Sequence, residues 1–188
     1  MKILILGDSF CASLNDLSWS VKLGKIFPTV NLSQSGCTQY HILKQLESVS
    51  IDDFTFVIVC HTSPYRIYTR QHPIHTSGTH INSGLLLNDV DYHSKKISNY
   101  WNKSLHAAKN FIKYHYSEQY QLDVYNLIKN KISSTISKVN NIEMSGCEAD
   151  EFGLRELYLN NQGTINHLTA EANQVLLDRI LKKVKYGN

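Results

Sequence analysis

Two short segments carry side chains that can do chemistry together. Near the start, Gly7-Asp8-Ser9-Phe10 follows an apolar run; near the end, Asn166-His167-Leu168-Thr169 precedes an apolar-periodic stretch. A serine hydroxyl is a poor nucleophile until a base takes its proton, and imidazole is the side chain suited to that task near neutral pH. Ser9 is therefore a candidate nucleophile and His167 its candidate base. Each segment alone also fits a plainer role. A Gly-Asp-Ser turn can simply end a strand and cap a helix, and a histidine ahead of a helix is often a surface residue. Cys11, just past Ser9, has no paired base in the sequence and reads as a small core residue.

A third group of reactive side chains is more diffuse. His72, His75 and His80 have some of the spacing of a metal site, but no cysteine or acid lies among them, so no metal is expected. They fall in residues 61–94, which also hold Pro64, Pro73, Gly78 and Gly84. A stretch this long without clear periodicity reads as a lid or a solvated loop. As a lid it presents Tyr65, Arg66, Tyr68 and Arg70, which suit a polar or anionic substrate such as a sugar.

The elements that must position these groups follow from periodicity. Residues 2–6 are apolar and partly β-branched, and Gly7 closes them, as in a buried strand. Residues 16–27 carry Leu17, Val21, Leu23 and Ile26 with a possible cap at Asp16, and Pro28 ends the helix. Residues 29–32 form a short strand. Beyond Gly36, the residues Ile42, Leu43, Leu46 and Val49 recur at helical spacing. Residues 54–60 are the clearest strand, apolar and β-branched throughout. Strand, helix, strand, helix, strand predicts a parallel sheet with helices on both faces. Residues 95–116 and 118–139 predict two helices, the first with Ile97, Trp101, Leu105, Ala108 and Ile112 on one face. A fourth strand is expected at 142–144 and a last helix at 169–184, while 147–163 carry no clear pattern. Trp19 and Trp101 read as core.

Taken jointly, Ser9 after the first strand and His167 before the last helix resemble the first and last conserved blocks of the SGNH (GDSL-like) hydrolase family. Ser33-Gln34-Ser35-Gly36, after the second strand, resembles the family's second block. The resemblance spans the whole chain in the right order. It implies a single domain over residues 1–188 with a lid at about 61–94. It also implies an α/β fold: a three-layer α/β/α sandwich around a parallel sheet of about five strands, flavodoxin-like. The implied chemistry is ester hydrolysis through an acyl-enzyme, with small acyl esters as substrates, O-acetyl groups on carbohydrate among them, and no cofactor. The oxyanion hole would use the backbone N–H groups of Ser9 and Gly36, and Asp8 would anchor the nucleophile turn.

Two departures from the family matter. Its third block ends the third strand with Gly-x-Asn-Asp, whose Asn completes the oxyanion hole; here the strand runs out as Cys60-His61-Thr62-Ser63-Pro64. Ser63 falls at the Asn position, and its hydroxyl can donate one hydrogen bond from a shorter reach. Losing one such donor costs about 2.7–4 kcal/mol of transition-state stabilisation. The family's last block is Asp-x-x-His, but Thr164 stands where the acid would be. A Ser–His dyad is then expected, its imidazole oriented by the carbonyl or hydroxyl of Thr164, with lower activity than a full triad. An acyltransferase with the same nucleophile is the alternative. A binding module that kept the fold and lost the catalytic parts is another.

Bulk composition excludes several classes. Hydrophobic residues make up 42% of 188, enough for a core, which argues against a disordered chain. The net charge of +3 is too mild for a nucleic-acid partner, and the terminal Lys182, Lys183 and Lys185 suit the end of a helix. No apolar run approaches the ~20 residues of a membrane span, and no secretory signal is visible. Cys11, Cys37, Cys60 and Cys147 form no CxxC pair and read as free thiols. The chain is therefore expected to be soluble and cytoplasmic.

Overall fold

A computed structural model describes residues 1–12, 15–70, 72–74, 83–96, 103–160 and 168–186. Four strands, β1 (Ile3–Gly7), β2 (Thr29–Asn31), β3 (Phe56–His61) and β4 (Asn140–Ser145), form one sheet in the order β2-β1-β3-β4. Every pairing is parallel. This is the beginning of the doubly wound 2-1-3-4-5 order. The sheet has four strands among the described residues, against the five or so expected.

The helices are α1 (Trp19–Ile26), α2 (Gln39–Glu47), α3 (Leu87–Lys96), α4 (Lys103–His115), α5 (Glu118–Ile136), α6 (Leu154–Asn160) and α7 (Ala170–Tyr186). Alternation along the strands decides which helices cover which face. Ile3, Ile5, Phe56, Ile58, Cys60, Ile142 and Met144 point one way, onto Trp19 and Leu23 of α1, Leu154 and Leu157 of α6, and Leu176 and Ile180 of α7. Leu4, Leu6, Val57 and Val59 point the other way, onto Ile42 and Leu46 of α2 and Ile132 and Ile136 of α5. Strands covered on both sides must be apolar at every position, which is why β1 and β3 are buried throughout. The result is a three-layer α/β sandwich.

Several boundaries move. Ser18, not Asp16, is the N-cap of α1; Asp16 instead pairs with Lys25 at 3.5 Å on the surface. The irregular stretch ends before Leu87, where α3 begins inside the region expected to be loop. Helix α3 is polar enough to hide its period. Its apolar anchors are Leu87 and Val90, which pack with Ile67, Leu85 and Leu105 in a third, smaller core. An antiparallel bridge between Ile67 and Leu85 closes the segment between β3 and α3. Helix α6 lies within the stretch that carried no clear pattern. The first expected helix of the pair is described from Lys103 only, so Ile97 and Trp101 lie outside the described residues. Among the described residues no helix is long and apolar enough to cross a membrane.

Candidate active site

In a parallel sheet the loops beyond the carboxyl ends of the strands are where ligands bind. Gly7 is the last residue of β1, and its backbone is held from four directions. Its N–H donates to Gln45 Oε1 at 2.9 Å, and its carbonyl accepts from Gln34 N–H at 3.0 Å, Gln45 Nε2 at 3.2 Å and the Cys37 thiol at 3.2 Å. Its φ of 150° suits glycine, and a Cβ there would sit 2.7 Å from the Cys60 carbonyl oxygen and 2.8 Å from Cys11 Sγ. The chain can leave β1 in this way only without a side chain.

The turn that follows is a single helical loop. The Asp8 carbonyl accepts from Cys11 N–H at 3.2 Å and Ala12 N–H at 3.1 Å, and its Oδ1 accepts from Phe10 N–H at 3.0 Å. Ser9 is held between these bonds, half-buried, and its hydroxyl makes no hydrogen bond among the described residues. Burial pushes the Asp8 carboxyl above its ordinary range. The Phe10 N–H, the Arg66 charge and the neighbouring Thr62 and Cys60 side chains oppose that rise. Cys11 is fully buried and its thiol is also pushed up by burial, so it stays protonated.

Gly36 follows β2 with φ 73°, and a Cβ there would meet Ser83 Oγ at 2.9 Å. Its carbonyl accepts from Gly84 N–H at 2.7 Å and from an Arg66 guanidinium nitrogen at 3.1 Å. Its N–H has no backbone partner among the described residues. Ser63 lies just past β3, half-buried; its Oγ accepts from Tyr65 N–H at 3.3 Å, and the Cys147 thiol beyond β4 lies beside it. Gly146, in that same β4 turn, abuts the Phe10 ring, where a Cβ would come within 2.4 Å of ring carbon Cε2. Asp8, Ser9, Gly36 and Ser63 thus share one edge of the sheet.

His167 and Thr164 lie outside the described residues. The residue after His167 does not. Leu168 packs against the same core as Phe10, the residue after Ser9. A short chain of hydrogen bonds joins the two ends. Trp19 Nε1 donates to the Phe10 carbonyl at 2.8 Å, and Trp19 N–H donates to Asn173 Oδ1 at 2.9 Å. Asn173 Nδ2 in turn donates to the carbonyls of Leu168 at 3.2 Å and Thr169 at 3.0 Å. Trp19, expected as core, is core, and it is also this link.

Among the histidines of the long segment, His72 is buried and its Nδ1 accepts from Ile74 N–H at 3.1 Å; His75 and His80 lie outside the described residues. Among the described residues no group of three or more His, Cys, Asp or Glu is arranged to hold a metal ion.

Sequence reasoning missed the polar chain beneath the site. His61, the last residue of β3, is buried, with Gln39 Nε2 2.7 Å from its Nδ1 and Glu143 Oε2 2.8 Å from its Nε2. The Gln39 amide nitrogen can only donate, so His61 Nδ1 accepts from it and Nε2–H donates to Glu143. Ser133 of α5 donates to the same Glu143 oxygen at 2.6 Å. Burial alone would push Glu143 up, but the hydrogen bonds from His61 and Ser133 outweigh it and hold the carboxyl below its usual range. Arg66, read as part of the 61–94 segment, places its guanidinium on the Gly36 carbonyl at 3.1 Å.

Fold and site together define a parallel α/β protein whose polar and reactive side chains gather beyond the carboxyl ends of its central strands. No protein-family model matches the chain, and no curated protein matches it.

Proposed function

We propose that this protein is a serine ester hydrolase of the SGNH type, with Ser9 as nucleophile and His167 as base. The observation that carries the reading is the Ser9 turn. It stands half-buried at the end of β1, fixed by Gly7 and Asp8, and is tied through Trp19 and Asn173 to the residue next to His167. A nucleophile needs this combination of a rigid backbone and a free hydroxyl.

In the proposed reaction His167 takes the Ser9 proton as Ser9 Oγ attacks the ester carbonyl. The oxyanion is met by the N–H groups of Ser9 and Gly36 and by the Ser63 hydroxyl, which accepts from Tyr65 N–H and would turn its proton from the neighbouring Cys147 sulfur to the oxyanion. The alkoxide leaves with the proton from His167, and water, activated by the same imidazole, releases the acid from the acyl-enzyme. Asp8 stays out of the proton transfers and braces the turn. Substrates in this reading are small acyl esters, including O-acetylated sugars. The cysteines among the described residues are all free thiols, which suits a reducing compartment such as the cytoplasm.

Hydrolysis of p-nitrophenyl acetate tests the reading. Ser9→Ala should lower kcat/KM by at least about 10³-fold, and His167→Ala by about 10²–10⁴-fold. A Ser9→Ala protein as active as the native one refutes it.

A further inference from the structure

The two segments that supply Gly36 and Ser63 each carry an exposed tyrosine, and the two rings meet. Tyr40 lies on the first turn of α2, shortly after Gly36, and Tyr68 in the segment leaving β3, shortly after Ser63. A helix that follows a parallel strand starts at the carboxyl edge of the sheet, so this contact stands at the rim of the candidate site. The ring centroids are 5.0 Å apart with planes at 71°, and Tyr68 also meets His41 at 5.1 Å and 61°. Edge-to-face pairs of this kind usually hold a core together. Here they leave Tyr40 37% and Tyr68 49% exposed.

The rings are held rigidly. Thr38 and His41 form a reciprocal cap on α2: the Thr38 hydroxyl accepts from His41 N–H at 3.3 Å, and His41 Nδ1 accepts from Thr38 N–H at 3.1 Å. Half-burial holds the His41 imidazole below its usual range, in the neutral form this cap needs. The Tyr68 segment is pinned on one side by Arg66 on the Gly36 carbonyl. On the other side Gln121 Nε2 donates to the Pro64 carbonyl at 3.1 Å. Gly84 fits between Thr38 and Arg66, where a Cβ would come within 2.3 Å of Thr38 Cγ2 and 2.5 Å of Arg66 Cγ.

We propose that Tyr40 and Tyr68 form a sugar-binding subsite that seats a carbohydrate ring beside the ester to be cleaved. A pyranose has a face of C–H groups that lies on an aromatic ring and a rim of hydroxyls that needs donors and acceptors. An exposed corner of two rings, each ending in a phenolic hydroxyl and with the Lys44 ammonium 5.3 Å from the Tyr40 ring centre as a further donor, matches both. An acyl chain would instead need an enclosed apolar groove. Tyrosine provides such a surface at small entropic cost, since only two side-chain torsions must be held. The placement of the sugar beside Ser9 rests on the ester-hydrolase reading; the binding itself does not.

Calorimetry on the Ser9→Ala protein separates the two, because no turnover is needed. The titrants are cellotetraose, xylotetraose and chitotetraose, with decanoate as the apolar control. At least one oligosaccharide should bind. Adding Tyr40→Ala or Tyr68→Ala should weaken that binding about tenfold, the size of one lost aromatic contact, while Tyr68→Phe, which keeps the ring and loses the hydroxyl, should weaken it about threefold. Thermal melts of each variant check folding, and where an alanine variant melts early the intermediate loss at Tyr68→Phe decides the matter: unchanged affinity in that folded variant then counts against the subsite. Binding of none of the three sugars, binding of decanoate alone, or oligosaccharide affinity unchanged by both alanine substitutions overturns the proposal. If the ester-hydrolase reading alone fails, sugar binding persists while p-nitrophenyl acetate turnover is independent of Ser9.

Discussion

Two carboxylates sit near the ends of neighbouring parts of the same sheet, and their surroundings drive them in opposite directions. Asp8, past β1, is buried with one backbone N–H on Oδ1 and Arg66 acting from a distance; desolvation wins and its carboxyl is pushed up. Glu143, on β4, is also partly desolvated, but the His61 ring and the Ser133 hydroxyl both donate to it and it is held down. Burial is common to both. What differs is how complete the burial is: Asp8 is almost fully buried, whereas Glu143 is only partly so and receives the His61 ring and the Ser133 hydroxyl at short range. One region is a polar girder joining α2, β3, β4 and α5, satisfied except at Gln39 Oε1, which is buried without a hydrogen-bond partner among the described residues. The other is a turn whose carboxyl is desolvated beside the Ser9 hydroxyl, which makes no hydrogen bond among the described residues; a perturbed titratable group of this kind is a candidate for function.

The largest effect expected from breaking this contrast is at Glu143. Glu143→Ala leaves the buried His61 N–H without an acceptor, while the Ser133 hydroxyl falls back on the Lys129 carbonyl at 3.1 Å, and should cost about 2 kcal/mol in urea unfolding at pH 7. A change well under 1 kcal/mol would mean that water replaces the carboxylate and that the girder is not a unit.

The pH dependence sharpens the contrast by sign. Glu143 has a folded pKa below its unfolded value of about 4.3, so its contribution is present above that pH and is lost as pH falls through the folded value. Asp8 has a folded pKa above its unfolded value of about 3.9, so its contribution is present below that pH and is lost as pH rises through the folded value. The stability difference between native protein and Glu143→Gln should therefore favour the native chain near neutrality and shrink below about pH 4. The difference between native protein and Asp8→Asn should move the opposite way, with the variant gaining as pH rises. Parallel curves for the two variants would remove the basis of the comparison.

The smallest effect belongs to a peripheral member. Ser133→Ala removes one donor to Glu143 and should cost about 1 kcal/mol. In a double-mutant cycle with His61→Ala the two losses should fail to add, because both act through one carboxylate.

Much of the architecture was readable from local pattern. The apolar runs of β1 and β3, the short β2 and the amphipathic α2 and α7 announce themselves because burial on one face or both leaves a period in the residues. Helices α3 and α6 did not, since each buries few side chains and its neighbours are polar. The site divided along the same line. Ser9, Asp8 and Gly36 stood out because a strand-ending turn needs particular residue types at adjacent positions.

By itself, then, the sequence determined the alternation of strands and helices and the residues at the end of β1, because those depend on contacts between near neighbours. Only the tertiary structure decided what His61 is for. Its partner Glu143 lies 82 positions away, and a lone histidine at a strand end says nothing about which carboxylate it will meet. The same holds for Trp19 and Asn173, 154 positions apart, whose hydrogen bond helps bring the last helix to the turn that carries Ser9. Distance in sequence erases local pattern, and packing of the sheet between its two helical layers restores the contact.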